Sequence, residues 1–263
     1  MRLWALALVL ALVPGTALAE EKKSEDGSDR ESFFSVVAGA KGGAGGNLWT
    51  ESKSVPGYLS NFAPFDGYAG GWSGGGGIFG EFRAVWGYVG LEFDLLFERN
   101  TMWTEISNKV SGYTWSDAKW LMDWTNVRMP LLLKGYLPLG KARLTLAIGP
   151  EFVVGLDPDA SVEYTDLDPA VNKTDADNAL AAWNGAFDAK KRSYTALTVG
   201  IGIAVKVWRL VITFDIRYAY NAGQPEDYLD RVDVKTNGGT FIASNSMDLR
   251  LLLGVGYQFE FDL

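Results

Sequence analysis

The feature that most constrains this fold is an alternation of apolar with polar or small residues at every second position. In the stretch 246–261, Leu249, Leu251 and Leu253 alternate with Asp248 and Arg250. A period of two is that of a β-strand with one apolar face, whereas an amphipathic helix repeats about every 3.6 residues. The same alternation covers residues 78–86, 88–97, 127–134, 143–154, 197–206 and 210–218, and a weaker, glycine-rich stretch covers 33–45.

The connections between these stretches alternate strictly between short and long. Short turns lie near residues 87, 139 and 208, and the long polar connections cover roughly 46–75, 100–119, 157–193 and 221–245. This order predicts an all-β fold, an antiparallel up-and-down transmembrane barrel with its short turns at one end. We expect about eight strands, and ten if a further hairpin lies within 100–119 or 157–193.

Alternation alone does not separate a membrane barrel from a soluble, lipocalin-like one, so the second face of each strand decides. That face combines a few long charged residues with many small ones. The interior of an eight-stranded barrel is just wide enough for side chains to fill it, and small residues leave room for large ones. We therefore predict that the apolar face meets lipid and that the lumen holds the small residues Gly90, Ala147, Gly149, Gly200, Gly202, Ala204, Gly254 and Gly256.

The charged residues of the inward face predict a network of ion pairs, because an unpaired buried charge costs several kcal/mol. If the third turn centres near 208 or 209, Gly200 and Gly202 face Arg217 and Asp215. The same reasoning places Arg128 opposite Glu151, and Arg83 opposite or beside Glu92. The predicted network comprises Glu81, Arg83, Glu92, Asp94, Arg128, Lys134, Glu151, Asp215, Arg217, Asp248 and Arg250.

The beginning of the chain predicts export. Residues 1–19 contain a charged start, a short apolar block and a small-residue ending, as in a cleaved signal peptide. Residues 20–31, "EEKKSEDGSDRE", are almost only charged and small polar residues and predict a disordered periplasmic tail. The barrel domain is then expected over 32–263.

Composition excludes several classes of protein. The chain has no cysteine and no histidine, so it lacks disulfides and the commonest general base and metal ligand. A net charge of -8 argues against nucleic acid as a partner. No cofactor and no metal site are predicted. The acidic connection offers only weak calcium candidates, Asp157, Asp159, Asp166 and Asp168, and a solvated acidic loop is the favoured interpretation.

Three segments resemble a known family. "MPLLLKGYLPLGKARLTLAIGPEF", "GYVGLEFDLLFE" and "GVGYQFEF" are similar to strands of the small bacterial outer-membrane β-barrels often called PorT-like or porin-family, related in architecture to the OmpA and OmpX barrels. The resemblance implies the outer membrane of a Gram-negative bacterium. It also implies a C-terminal insertion signal at Gly256, Tyr257, Phe259 and Phe261, although Asp262 and Leu263 follow it.

The barrel enzymes of that membrane rely on an essential histidine, so we expect a protein that is not an enzyme. The leading hypothesis is a barrel with a charge-plugged lumen and long extracellular loops for binding, adhesion or envelope integrity. The alternatives are a narrow porin-like channel for small solutes and a soluble periplasmic lipocalin-like carrier. The expected partners are outer-membrane lipid, lipopolysaccharide, the barrel-insertion machinery and an unidentified extracellular ligand.

Overall fold

Eight antiparallel strands close into a barrel in which each strand pairs with its neighbours in sequence and β1 pairs with β8. The structure, a computed structural model, describes residues 33–54, 68–106, 117–140, 142–166, 172–174, 177–178, 181, 193–221 and 241–261. The strands are β1 Phe34–Ser54, β2 Tyr68–Ala84, β3 Val89–Ile106, β4 Asp117–Leu139, β5 Ala142–Asp166, β6 Ser193–Val207, β7 Leu210–Tyr220 and β8 Phe241–Phe261.

The predicted fold class, an antiparallel up-and-down barrel of eight strands, is confirmed over these residues. The ten-stranded alternative does not apply to them. The predicted signal segment and tail, 1–19 and 20–31, lie outside the described residues. In the part of the chain that the structure describes, no helix is long and apolar enough to cross a membrane.

The strands are longer than the alternation predicted. β1 continues to Ser54 and β2 already begins at Tyr68, so much of the predicted connection 46–75 is strand. Its glycines have the composition of a turn, but they pair on both sides with β1 and β3. A Cβ atom on Gly75 would clash with the carbonyl oxygen of Phe97. Glycine therefore permits a close backbone approach here rather than ending the strand.

The end of the barrel that carries the long connections is uneven. β4 and β5 stay paired up to Asp117 and Asp166, whereas the pairing of β5 with β6 stops at Val154 and Ser193. Residues 155–166 of β5 therefore extend beyond β6. The predicted loops 100–119 and 157–193 were wrong where they adjoin the strands, because β-pairing continues into both. The residues there are polar, since no lipid requires an apolar exterior beyond the membrane.

The short turns set the register of the hairpins. Gly200 faces Arg217 and Gly202 faces Asp215, as predicted from a turn centred near 208 or 209. The second hairpin differs from the prediction by two residues: Arg128 faces Val153, and Glu151 faces Pro130. The reason is that the turn follows Leu139, which pairs with Ala142, so the chain reverses one residue later than the proline suggested.

The first hairpin places Glu81 directly opposite Glu92, and Arg83 opposite Gly90. Arg83 is thus a diagonal neighbour of Glu92 and lies beside it. Two like charges face each other across this pair, which is unfavourable unless cations lie close by. Arg83 and Lys134 supply those cations in the lumen.

Pro130 and Pro150 interrupt the β4–β5 ladder without shifting it. The pairs Pro130 with Glu151 and Leu133 with Ile148 share one register, and no pair is formed at the two positions between them. Each proline lacks a backbone donor, so the local loss of hydrogen bonds is expected. The shifts in this hairpin lie nearer its open end, beside Asp117 and Asp123.

The barrel surface reverses the arrangement of a soluble protein. Along β7, exposed and buried residues alternate without a break: Ile212, Phe214 and Ile216 are exposed, whereas Asp215 and Arg217 are buried. Each of the other strands also exposes apolar residues, and Trp86, Tyr88 and Trp208 stand exposed at the short-turn end. A closed barrel with an apolar exterior satisfies its backbone internally and is suited to lipid. The soluble carrier alternative is therefore wrong.

Candidate functional site in the lumen

The lumen is filled by charged and polar side chains. All of the residues predicted for the charge network are buried and belong to inward faces of six strands: Glu81, Arg83, Glu92, Asp94, Arg128, Lys134, Glu151, Asp215, Arg217, Asp248 and Arg250. They separate into two groups along the barrel. The inner ion layer, nearer the short turns, contains Lys41, Glu81, Arg83, Glu92, Asp94, Lys134, Asp215 and Arg217.

Arg217 lies at the centre of the inner ion layer. Its Nη1 atom lies 2.5 Å from Oδ2 of Asp94, and its Nη2 atom lies 2.6 Å from Oε1 of Glu92 and 2.9 Å from Oδ2 of Asp215. The guanidinium group therefore joins β7 to β3 across the lumen. Its planar set of donors suits several carboxylates at once.

Two lysines complete the contacts of these carboxylates. Lys41 Nζ lies 2.7 Å from Glu92 Oε1, 3.5 Å from Asp94 Oδ1 and 3.3 Å from Asp215 Oδ2. Lys134 Nζ lies 3.0 Å from Glu92 Oε2 and 3.7 Å from Glu81 Oε2. Lys134 thus bridges the two glutamates that face each other across the first hairpin.

Glu81 and Arg83 form the short-turn side of this layer. Arg83 Nε lies 2.5 Å from Glu81 Oε1, and the Tyr136 hydroxyl donates a hydrogen bond to the same carboxylate. The Arg83 guanidinium also lies 5.0 Å from the centre of the Tyr136 ring. In total the inner ion layer holds four carboxylates and four cations, so its formal charges balance.

The outer ion layer consists of Glu98, Arg128, Glu151, Asp248 and Arg250. Arg128 contacts all three carboxylates: Nε lies 2.6 Å from Glu98, Nη1 lies 2.8 Å from Glu151 and Nη2 lies 2.6 Å from Asp248. Arg250 pairs with Glu151 and lies 3.7 Å from Glu98. This layer connects β3, β4, β5 and β8 through the centre of the barrel.

A neutral donor supports the second carboxylate of this layer. The Thr198 hydroxyl donates to Glu151 Oε2 at 2.5 Å, so Glu151 receives contacts from Arg128, Arg250 and Thr198. Buried carboxylates require such multiple partners, because desolvation is otherwise not compensated.

Sequence reasoning missed two charged members of the layers, Lys41 and Glu98. Lys41 is the single charged residue between Phe33 and Thr50. Extending the alternation of inward and outward residues into this glycine-rich stretch would have identified it. Glu98 continues the inward series of Glu92 and Asp94, but it lies where the strand was expected to end. Both residues could have been assigned to the lumen because they lie an even number of positions from other inward-facing residues of the same strand.

Small residues make room for these side chains. A Cβ atom on Gly254 would lie 2.5 Å from Thr213 Oγ1 and 2.8 Å from Lys41 Cγ, whereas one on Gly135, on the exterior, would meet nothing within 4 Å. Gly202 is similarly crowded by Asp215. The glycines of the lumen are therefore complements of the large charged residues.

We expect Gly254→Ala to lower the free energy of unfolding by about 1–3 kcal/mol, because Lys41 must shift to avoid the added methyl group. Gly135→Ala is the matched control and should leave stability unchanged within a few tenths of a kcal/mol. Urea unfolding in lipid vesicles measures both variants. Equal midpoints for the two would show that the lumen is not tightly packed around Gly254.

The calcium candidates do not form a site in the described residues. Asp157 and Asp159 are exposed on β5, and Asp166 is the last residue of that strand. Asp168 lies outside the described residues. Among those that are described, no group of three or more acidic residues is arranged to hold a metal ion.

The four residues of the expected insertion signal lie at the end of β8. Gly256 faces the lumen, whereas Phe259 and Phe261 are exposed on the exterior. Tyr257 accepts a hydrogen bond from Arg209 Nη1 at 3.0 Å. Its ring also lies 4.9 Å from that of Phe259. These positions put the aromatic side chains at the short-turn end of the lipid-facing surface.

Comparisons with known proteins return structural similarity only, since no family model and no curated protein matches the sequence. A major outer membrane protein from Thermus thermophilus is 14% identical, with a TM-score of 0.42 and coverage of 84% of this chain and 99% of that chain. Ail, the attachment invasion locus protein of Yersinia pestis, is 13% identical, with a TM-score of 0.36 and coverage of 87% and 99%.

Neisserial surface protein A is 14% identical, with a TM-score of 0.35 and coverage of 88% of this chain and 100% of that chain. Because these likenesses are remote, the assignment of this chain rests on its own pairing and surface. A closed eight-stranded barrel, an apolar exterior and a charged interior are found together here. The chain is an integral outer-membrane β-barrel.

Proposed function

We propose that this protein is a non-enzymatic outer-membrane barrel of the PorT-like kind, whose lumen is closed and whose function lies at its outer surface. The observation that carries the proposal is the pair of ion layers across the lumen. Arg128 on β4 contacts β3, β5 and β8, and Arg217 on β7 contacts β3. Side chains that join strands through the barrel centre occupy the path that a solute would need.

The burial of these groups supports closure. The side chains of Arg128, Arg217, Glu92 and Glu151 are at most 1% exposed. A passage would require several of these ion pairs to separate together. Separating one buried pair costs several kcal/mol, so thermal fluctuation opens the lumen rarely.

The uneven outer rim supports a role in binding or adhesion. β5 extends over residues 155–166 beyond its last pair with β6, and it carries the connection that follows Asp166. A projecting pair of strands, β4 and β5, presents such a connection away from the lipid. An extracellular ligand and lipopolysaccharide are the proposed partners at this rim, and a mechanical role in envelope integrity is compatible with the same rigid barrel.

Other parts of the chain support its route to the membrane. Residues 1–19 are proposed to be a signal peptide and 20–31 a periplasmic tail that precedes the barrel. Tyr257, Phe259 and Phe261 are proposed to be read by the barrel-insertion machinery. The absence of histidine from the sequence supports a function without catalysis.

Planar bilayer recordings test the closed lumen. Wild-type protein is expected to give no steady openings. Arg128→Ala should also conduct little, because the inner ion layer remains intact, and Arg99→Ala on the exterior is the control. Steady openings of the wild type that Arg128→Ala enlarges would contradict the proposal and favour the narrow channel.

A further inference from the structure

Two amide side chains next to the outer ion layer lack the partners that burial demands. Asn126 is completely buried, and neither its Oδ1 nor its Nδ2 atom has a hydrogen-bond partner. Asn100 is 1% exposed, and its Oδ1 atom also has none. The Asn100 Nδ2 atom donates to the backbone oxygen of Glu98 at 3.2 Å, which fixes the oxygen as the free end of the amide.

The positions directly across from Asn126 offer its amide one polar side chain, the Glu98 carboxylate. Asn126 faces Glu98 on β3 and Gly155 on β5, and Glu98 faces Gly75 on β2. The row across four strands therefore contains one carboxylate and one amide between two glycines. Asn100 lies two residues after Glu98 on the same inward face, between Ser73 on β2 and Trp124 on β4, so the two asparagines flank Glu98.

The charge of the layer indicates which kind of occupant fits. The described residues of the outer ion layer contain three carboxylates, Glu98, Glu151 and Asp248, and two guanidinium groups, Arg128 and Arg250. Because the inner ion layer is balanced, the excess carboxylate among these described residues belongs to the outer ion layer, which the amides adjoin. Arg250 lies 3.7 Å from Glu98, which is farther than its distance to Glu151.

We propose that Glu98, Asn100 and Asn126 form a binding site for one small monovalent cation of the sodium class. The ligands are the Glu98 carboxylate and the Oδ1 atoms of the two asparagines. Hard cations prefer carboxylate and amide oxygens. One positive charge balances the excess in the layer, whereas a divalent ion would add a surplus charge beside two arginines. The proposal is argued from the buried amides and does not rest on a closed lumen or on a binding surface at the rim.

Unfolding in matched salts tests the site, because a ligand that binds the folded state alone raises stability with its concentration. Detergent-solubilised wild-type protein is heated in sodium chloride and in choline chloride at equal ionic strength, and the folded fraction is followed by heat-modifiable gel migration. The midpoint is expected to rise by a few degrees with sodium concentration and not with choline.

Variants locate the effect. Glu98→Gln and Asn100→Leu should abolish the difference between sodium and choline, while Asp159→Asn, on the exposed acidic part of β5, should retain it. If Glu98→Gln fails to fold, Asn100→Leu still decides, because it leaves the ion pairs intact. A sodium effect that survives in either folded variant would overturn the assignment.

Crystals soaked in thallium(I), a monovalent cation with strong anomalous scattering, give a direct second readout. A peak among the oxygens of Glu98, Asn100 and Asn126 is the expected result. The proposal is overturned if sodium and choline give equal midpoints and no thallium peak appears there, because the amides would then be satisfied by water.

Discussion

Replacing Arg217 by methionine is expected to destabilise the barrel by about 3–5 kcal/mol, the cost of removing one partner from a buried ion network. Arg217 contacts Glu92, Asp94 and Asp215 within 2.9 Å. Methionine retains most of the apolar stem, so the loss measures the guanidinium group rather than a cavity. The three remaining cations, Lys41, Arg83 and Lys134, would face four carboxylates.

Urea unfolding in lipid vesicles, followed by tryptophan fluorescence, measures this loss. Arg99→Met is the matched control, because the Arg99 side chain is 80% exposed and lies 3.8 Å from Asp123. An exposed pair of this kind contributes at most about 1 kcal/mol. Similar midpoints for Arg217→Met and Arg99→Met would show that the inner ion layer is hydrated and contributes little.

A double variant separates charge from packing. Arg217→Met combined with Asp94→Leu removes one cation and one anion, so the inner ion layer regains its balance of charge. We expect the double variant to be more stable than Arg217→Met alone, because the free-energy changes of two substitutions in contact with each other are not additive. If it is less stable by the sum of both single effects, the two residues do not interact.

The faces of the strands could be predicted from the sequence because side-chain direction depends only on parity. Every second residue of β7 points inward, and the alternation of Asp215 and Arg217 with Ile216 displays this directly. Register within a hairpin follows from the centre of its turn, which was predicted correctly near Trp208 and one residue too early near Gly140. A one-residue error in the turn centre moves each pairing by two positions.

Partners across the lumen could not be predicted, because they depend on how the closed barrel aligns distant strands. Arg217 and Glu92 are 125 residues apart, and Arg128 and Asp248 are 120 residues apart. Alternation predicts that each of these side chains points into the lumen, but it does not predict its position along the barrel axis. Depth follows from the stagger of all eight strands, which is a property of the closed sheet.

The strand ends were missed for a related reason. Lipid imposes an apolar exterior only within its own thickness, so alternation fades where β4 and β5 continue beyond it. Asp123 and Asp159 pair across this hairpin although both are acids on its outward face. The glycines around Gly75 were mispredicted in another way. Their composition suggested a turn, but Gly75 lies within a strand whose close backbone approach requires a residue without a Cβ atom.

Leu253→Arg should destabilise the barrel by about 2–4 kcal/mol in lipid vesicles, the cost of a basic side chain at the middle of the lipid-facing surface. Leu253 is 57% exposed and faces Phe214 on β7, about midway along the exterior of that pair of strands. The substitution adds no bulk to the lumen, so its effect reports the medium outside the barrel. Urea unfolding in vesicles gives the free energy.

Leu139→Arg is the matched control, because Leu139 is 60% exposed but ends β4 beside the turn at Gly140. There the guanidinium group reaches water and lipid headgroups, and the expected cost is only about 0–1 kcal/mol. Both variants replace an exposed leucine with the same residue, so the difference between them isolates depth in the bilayer. Equal costs at the two positions would show that Leu253 does not face hydrocarbon, and the exterior assignment on which the barrel's location rests would have to be withdrawn.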